Sequence, residues 1–135
     1  MATVSLGMTS SATSMDRIVE WYLGGEATSS AVNRILIARS TTVGTTSTAI
    51  TPTKHNPRSA APGATTWTAY STQPTFVGVS LNSLAFNAFG GVVRWVAAPG
   101  EEEYVVGGTA ADTEISLRSG AGTGLMSADM HFEEL

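Results

Sequence analysis

The chain has no cysteine, only seven Lys and Arg, two histidines and no long apolar run. Each scarcity removes a class of protein. Without cysteine there is no disulfide framework and no thiolate metal site, and the composition is compatible with synthesis in a reducing cytoplasm. The cations are scattered as Arg17, Arg34, Arg39, Lys54, Arg58, Arg94 and Arg118 against a net charge of −4, so no basic stripe forms to neutralise phosphates. No nucleic-acid partner is expected. No stretch approaches the ~20 apolar residues of a membrane-spanning helix, and residues 1–14 lack a basic segment followed by an apolar one. Neither a membrane partner nor signal-peptide secretion is expected.

Charged residues make up 13% of the chain, about half the usual share, while Ser and Thr together supply about a quarter. The surface must therefore be built largely from hydroxyls, Ala and Gly. Threonine suits exposed strand positions, and a sparsely charged surface suits burial against other subunits. At 135 residues the chain is expected to be a single domain, 1–135, that buries roughly two-thirds of its unfolded surface. Residues 1–16 are an N-terminal arm or edge strand in this reading.

Period-two alternation recurs along the whole length, and no amphipathic helix longer than a turn or two is evident. In the final segment, Leu125 to Glu133, Met126, Ala128, Met130 and Phe132 share one face, with Ser127, Asp129 and His131 on the other. Upstream, strands are expected at Ala2 to Met8, Arg17 to Leu23 (stopping at Gly24-Gly25), Asn33 to Arg39 and Ser47 to Thr51. A proline-bearing loop follows, Thr53 to Gly63, and then an edge strand at Thr65 to Ser71. Phe76 to Asn82 reads as a strand with Val77, Val79 and Leu81 facing one way, followed by a connection from Ser83 to Gly91. Val92 to Ala97 and Glu103 to Val106 flank Ala98-Pro99-Gly100-Glu101, where Pro presets the second turn position and Gly accepts positive φ at the third. That is a hairpin or a sharp strand-to-strand connection. Thr113 to Arg118 places Ile115 and Leu117 inward and Glu114, Ser116 and Arg118 outward.

Eight or nine short strands in one domain predict an all-β fold, an antiparallel β-sandwich of jelly-roll-like type. The expected core comprises Trp21, Ile35, Ile37, Val79, Leu81, Trp95, Ile115, Leu117, Met130 and Phe132.

Residues that could carry chemistry are few. Ser127, Asp129 and His131 have the residue types of a hydrolytic triad, but side chains two apart on a strand start nearly 7 Å apart, and no nucleophile elbow accompanies them. A polar outward face is the expectation, and no catalytic residue is assigned. Gly120-Ala121-Gly122-Thr123-Gly124 lacks the Lys-Ser/Thr ending of a phosphate-cradling loop and reads as a hairpin loop, while Glu101, Glu102 and Glu103 read as a solvated or inter-subunit charge cluster. No cofactor or metal ligand is expected. Leu84, Phe86 and Phe89 lie in a Gly-flanked connection, where they either fold under the sandwich or form a contact surface. With His55 and Arg58 of the Lys54-His55-Asn56-Pro57-Arg58 loop they are the candidate interface residues.

The segment Val92-Val93-Arg94-Trp95-Val96-Ala97-Ala98-Pro99-Gly100, together with His131-Phe132-Glu133-Glu134, resembles a group of small tailed-phage proteins. In these an R-W-V-A-x-P-G turn is followed by a Gly-rich stretch, an I-x-(L/x)-R strand and a closing H-F-E-E. Leu23-Gly24-Gly25-Glu26 and the Ile50 to Pro62 region are similar too, so the resemblance covers Arg17 to Glu134. It implies a non-enzymatic virion component made in the host cytoplasm: a capsid decoration or cement protein, trimeric, bound to the major capsid protein on the outer head surface. Trp95 and Phe132 are then core, and Arg94 and His131 outer-face residues. The acidic run Glu101 to Glu103 and the apolar Phe86 to Phe89 loop depart from that group. A different class is a receptor- or glycan-binding module of a tail or fibre, with Trp67 and Tyr70 as the aromatic candidates.

Overall fold

The structure, a computed structural model, describes residues 4–42, 44–107, 114–122 and 124–135. Within them lie eleven strands: β1 (Val4–Thr9), β2 (Met15–Glu26), β3 (Val32–Thr42), β4 (Thr45–Ile50), β5 (Thr65–Thr72), β6 (Thr75–Phe76), β7 (Asn82–Asn87), β8 (Phe89–Val96), β9 (Glu103–Val106), β10 (Glu114–Ala121) and β11 (Met126–Glu134). Ala2, Thr3 and Thr113, expected in strands, lie outside the described residues, as does Thr123 of the Gly-rich loop.

All pairings between these strands are antiparallel, and four sets of them nest. β4 pairs β5, β3 pairs β6 and β7, β2 pairs β8 and β9, and β1 pairs β10. Such nesting is a long hairpin folded over on itself, the topology of a jelly roll. The first sheet runs β4-β5-β1-β10-β3 and ends on β6 and β7; the second runs β11-β2 and ends on β8 and β9. The expected β-sandwich is therefore present, with eleven strands instead of eight or nine.

Between the sheets lies an apolar core of Leu6, Met8, Ile18, Trp21, Leu23, Ile35, Ile37, Phe86, Val105, Ile115 and Leu117. Trp95, Met130 and Phe132 pack against it half-buried, with Met126 and Ala128 beside them, so the expected inward face of β11 is observed. Strict alternation along β2 groups Val19 with Trp21 and Leu23, but the inward residue is Ile18, fully buried, and Val19 is half-buried. A register shift near Val19 moves the strand from one face to the other, because each extra residue reverses the alternation.

Val79 and Leu81 were expected in the core, and both are exposed, Val79 at 77%. Residues 75–76 and 82–87 run along β3 as a single interrupted partner. Val77 N–H donates to Arg39 O at 3.0 Å and Leu81 N–H to Ile37 O at 2.7 Å, so the residues between them leave the sheet as an excursion. Alternation survives in the sequence there, but no neighbour faces it. The same device occurs in the second sheet. β8 and β9 lie end to end along β2, and Ala97 N–H donates to Val19 O before the chain departs and returns at Glu103, opposite Ile18. The Ala98–Glu101 turn closes with a 2.9 Å hydrogen bond and Gly100 at φ 89°, as its sequence requires, but it makes a strand-to-strand connection and no hairpin.

Three further expectations are corrected. β5 is an interior strand, flanked by β4 and β1. β2 continues through Gly24-Gly25 to Glu26, and a Cβ on Gly25 would stand 2.4 Å from the carbonyl oxygens of Asn87 and Ala88. Glycine is needed there because the chain turns the corner from one sheet to the other within Asn87 to Phe89. The Gly-rich loop also crosses between sheets, from β10 to β11, and Asn33 holds it by bonding both Gly124 N–H and Gly124 O.

Candidate interaction surfaces

The segments 92–100 and 131–134 meet on the two sides of β2. Trp95 and Met130 both face Trp21, while on the outer surface Arg94 and His131 converge on Glu20. Arg94 grips the Glu20 carboxylate with two nitrogens, one at 3.1 Å, and His131 Nδ1 stands 3.4 Å from it. The Arg94 guanidinium holds the Glu20 carboxyl below the usual range. Arg17 bonds Glu133 at 2.6 Å along the same surface and reaches Glu102 at 3.7 Å.

His131 also lines a groove of about 1090 Å³ between β11 and the segment from Ile50 to Pro62. That segment is the expected loop. It closes on itself through Lys54 Nζ, which donates to Pro57 O and Ser59 O, and Glu134 ties its end by accepting from Gly63 N–H at 3.0 Å. His55 is thereby set edge-on against His131, ring centres 4.9 Å apart. Ser127, Asp129 and His131 do share a face, but His131 is committed to Glu20 and His55. Among the described residues no three His, Cys, Asp or Glu side chains gather where they would hold a metal ion.

The open side of the sandwich carries the two excursions. Glu103, which starts β9, accepts from Trp21 Nε1 at 2.8 Å and from Asn82 Nδ2 at 2.7 Å, and Asn82 starts β7. One buried carboxylate thus joins the sheets at the roots of both excursions. Burial raises its carboxyl above the usual range despite these donors and nearby Arg39. Arg39 donates to Tyr104 O alongside, at 2.6 Å.

On this side β8 is the last strand of its sheet. Since Ala97 N–H points to β2, strand parity turns the main-chain groups of Val92, Arg94 and Val96 away from it, into a free edge. Their side chains are exposed as well, Val92 at 58% and Val96 at 54%, next to Phe89 at 61%. No proline or lysine protects this edge, whereas the far edge of the same sheet is flanked by the 50–62 loop.

Of the candidate interface residues, Phe89, His55 and Arg58 are exposed. Phe86 is not: it belongs to the core, and Leu84 is half-buried against it, because residues 82–87 form β7 with every second side chain turned inward. Tyr70 is also buried. Its hydroxyl donates to Glu114 at 2.9 Å, and Trp67 is half-buried beside it. Burial and the adjacent carboxylate push the Tyr70 phenol up, so it stays protonated and donates. Sequence reasoning did not single out Glu20, and it put Glu103 in a solvated or inter-subunit charge cluster and Glu114 on an outward face, whereas both are buried because distant segments cover the starts of β9 and β10. No protein-family model, curated protein or solved structure matches this chain.

Proposed function

We propose that the chain is a non-enzymatic decoration, or cement, protein of a tailed-phage head, which binds the outer surface of the shell built by the major capsid protein and stabilises it. The observation that carries this reading is the open side of the sandwich. There Phe89, Val92 and Val96 are exposed along an edge strand whose outward main-chain groups, those of Val92, Arg94 and Val96, meet no further strand among the described residues, an arrangement suited to burial against another protein. The low charge and hydroxyl-rich surface support it, since extensive subunit contact then desolvates few ions. A cement protein needs no chemistry. It acts by bridging neighbouring shell subunits through modest contacts repeated by symmetry, and a trimer suits three-fold positions of such a shell.

The test is the copy number of the protein in purified particles, relative to the major shell subunit, by quantitative mass spectrometry. A simple fraction implying hundreds of copies is expected. A small number of copies would move the chain to the tail, portal or fibres, where a receptor- or glycan-binding role applies; absence from the particle would discard both. The glycan reading has lost Tyr70 to the interior and rests on half-buried Trp67.

A further inference from the structure

Leu6 to Met8 of β1, Glu114 to Leu117 of β10 and Ile37-Ala38 of β3 are buried on both faces, and one of those faces is polar. The register puts Thr9 opposite Glu114 and Gly7 opposite Ser116, while Ser116 faces Ala38 on the other side. Ser40 lies one residue beyond Arg39, the partner of Ile115, and therefore opposite Glu114. Glu114, Ser116, Ala38 and Ser40 have no exposed surface. The first sheet curls to cover them. Tyr70 reaches from β5 past β1 to Glu114 Oε1, through the space where a Cβ on Gly7 would stand 1.9 Å from its hydroxyl, and Phe76 lies over the Arg118 guanidinium at 4.6 Å.

Six buried side-chain polar atoms among the described residues lack a hydrogen-bond partner, and four of them are here: Glu114 Oε2, Ser40 Oγ, Ser116 Oγ and Arg118 Nε. Buried polar atoms are rarely left unpaired, since each has given up its hydration. We infer that the hollow of the curled sheet is an internal water-binding site, in which at least one long-lived water bridges Glu114 Oε2 to the Ser40 and Ser116 hydroxyls.

Three observations select water as the guest. Facing side chains on paired strands have Cβ atoms about 4.5–5.5 Å apart, a span that one oxygen crosses with two hydrogen bonds of ~2.8 Å. The unpartnered set mixes an acceptor-rich carboxylate, two hydroxyls and a guanidinium donor, so the guest must both donate and accept. The Arg118 cation on the same face disfavours a metal ion. Ala38, facing Ser116, ends at its Cβ and so puts no further side-chain atoms between the two strands.

Oxygen-17 magnetic relaxation dispersion on the full chain counts waters that stay longer than molecular tumbling. We expect the Ser40→Ala/Ser116→Ala double variant, with native near-ultraviolet circular dichroism, to lose at least one such water relative to the parent. A high-resolution crystal structure of the parent should show an oxygen within hydrogen-bond distance of Glu114 Oε2 and of at least one serine hydroxyl. An unchanged water count in a folded double variant overturns the inference. So does a crystal structure with Ser40 bonded directly to Glu114, both hydroxyls turned to main-chain carbonyls, or a metal ion in the hollow. If the double variant fails to fold, the crystal structure alone decides.

Discussion

Strand β10 borders two interiors that differ in kind. On one side Ile115 and Leu117 enter an apolar core between the sheets; on the other Glu114 and Ser116 enter a polar interior within one curled sheet, and all four have no exposed surface. The apolar side owes its stability to area removed from water, which is non-directional and tolerant of rearrangement. The polar side depends on particular partners, the Tyr70 hydroxyl above all, and is weakened by each atom left without one. Burial alone therefore does not say what a residue contributes.

That contrast can be broken from either side. Trp21→Ala is expected to have the largest effect, a loss of about 3–5 kcal/mol in urea denaturation, because it opens a cavity and strips Glu103 of a donor. A loss under about 1 kcal/mol would show that the apolar interior is not the main source of stability. Gly7→Ala should follow at about 1–3 kcal/mol, since the added methyl displaces the Tyr70 hydroxyl and leaves Glu114 with only the Gly44 main-chain N–H as a donor. Its signature is an altered Tyr70 environment in near-ultraviolet circular dichroism with the tryptophan bands retained.

The polar interior also predicts a pH dependence. Burial raises the Glu114 carboxyl above its ordinary value of 4.5, so the native state holds this proton more tightly than the unfolded chain. Stability from this group is full below that value and declines as pH rises through the raised one. Glu103 and Asp16, also raised by burial, add the same sign. Glu20, lowered by Arg94, acts oppositely, its contribution being lost as the solution is acidified through its native pKa. Glu114→Gln should flatten the decline in melting temperature above pH 4.5, and an unchanged slope would remove Glu114 from the account. The smallest effect belongs to Val79→Ser, within about 0.5 kcal/mol of the parent, because its side chain already stands in solvent. A loss of core magnitude would return Val79 to the interior.

Much of the architecture was readable residue by residue. Alternation located β2, β3, β9, β10 and β11 within a few residues, and Pro99-Gly100 correctly signalled a turn. Phe76 to Asn82 misled because its apolar alternation is intact while β3 engages only its two ends. Leu84 and Phe86 misled in the other direction, since flanking glycines suggested a loop where β7 runs and the chain turns a corner between sheets. For the candidate surfaces, the outer placement of Arg94 and His131 was legible, but their meeting at Glu20 depends on β2 lying between two distant segments.

By itself the sequence determined which side chains alternate wherever a strand runs without a register shift, where glycine and proline interrupt the chain, and that few charges would be available at the surface. Those are properties of local backbone geometry and composition. Only the tertiary structure decided what covers each face: that Glu114 and Ser116 are enclosed by a curling sheet, that Val79 is not enclosed at all, and that His55 rests against His131. Enclosure depends on residues far away in the chain, and a period of two along one strand carries no information about what will be packed against it.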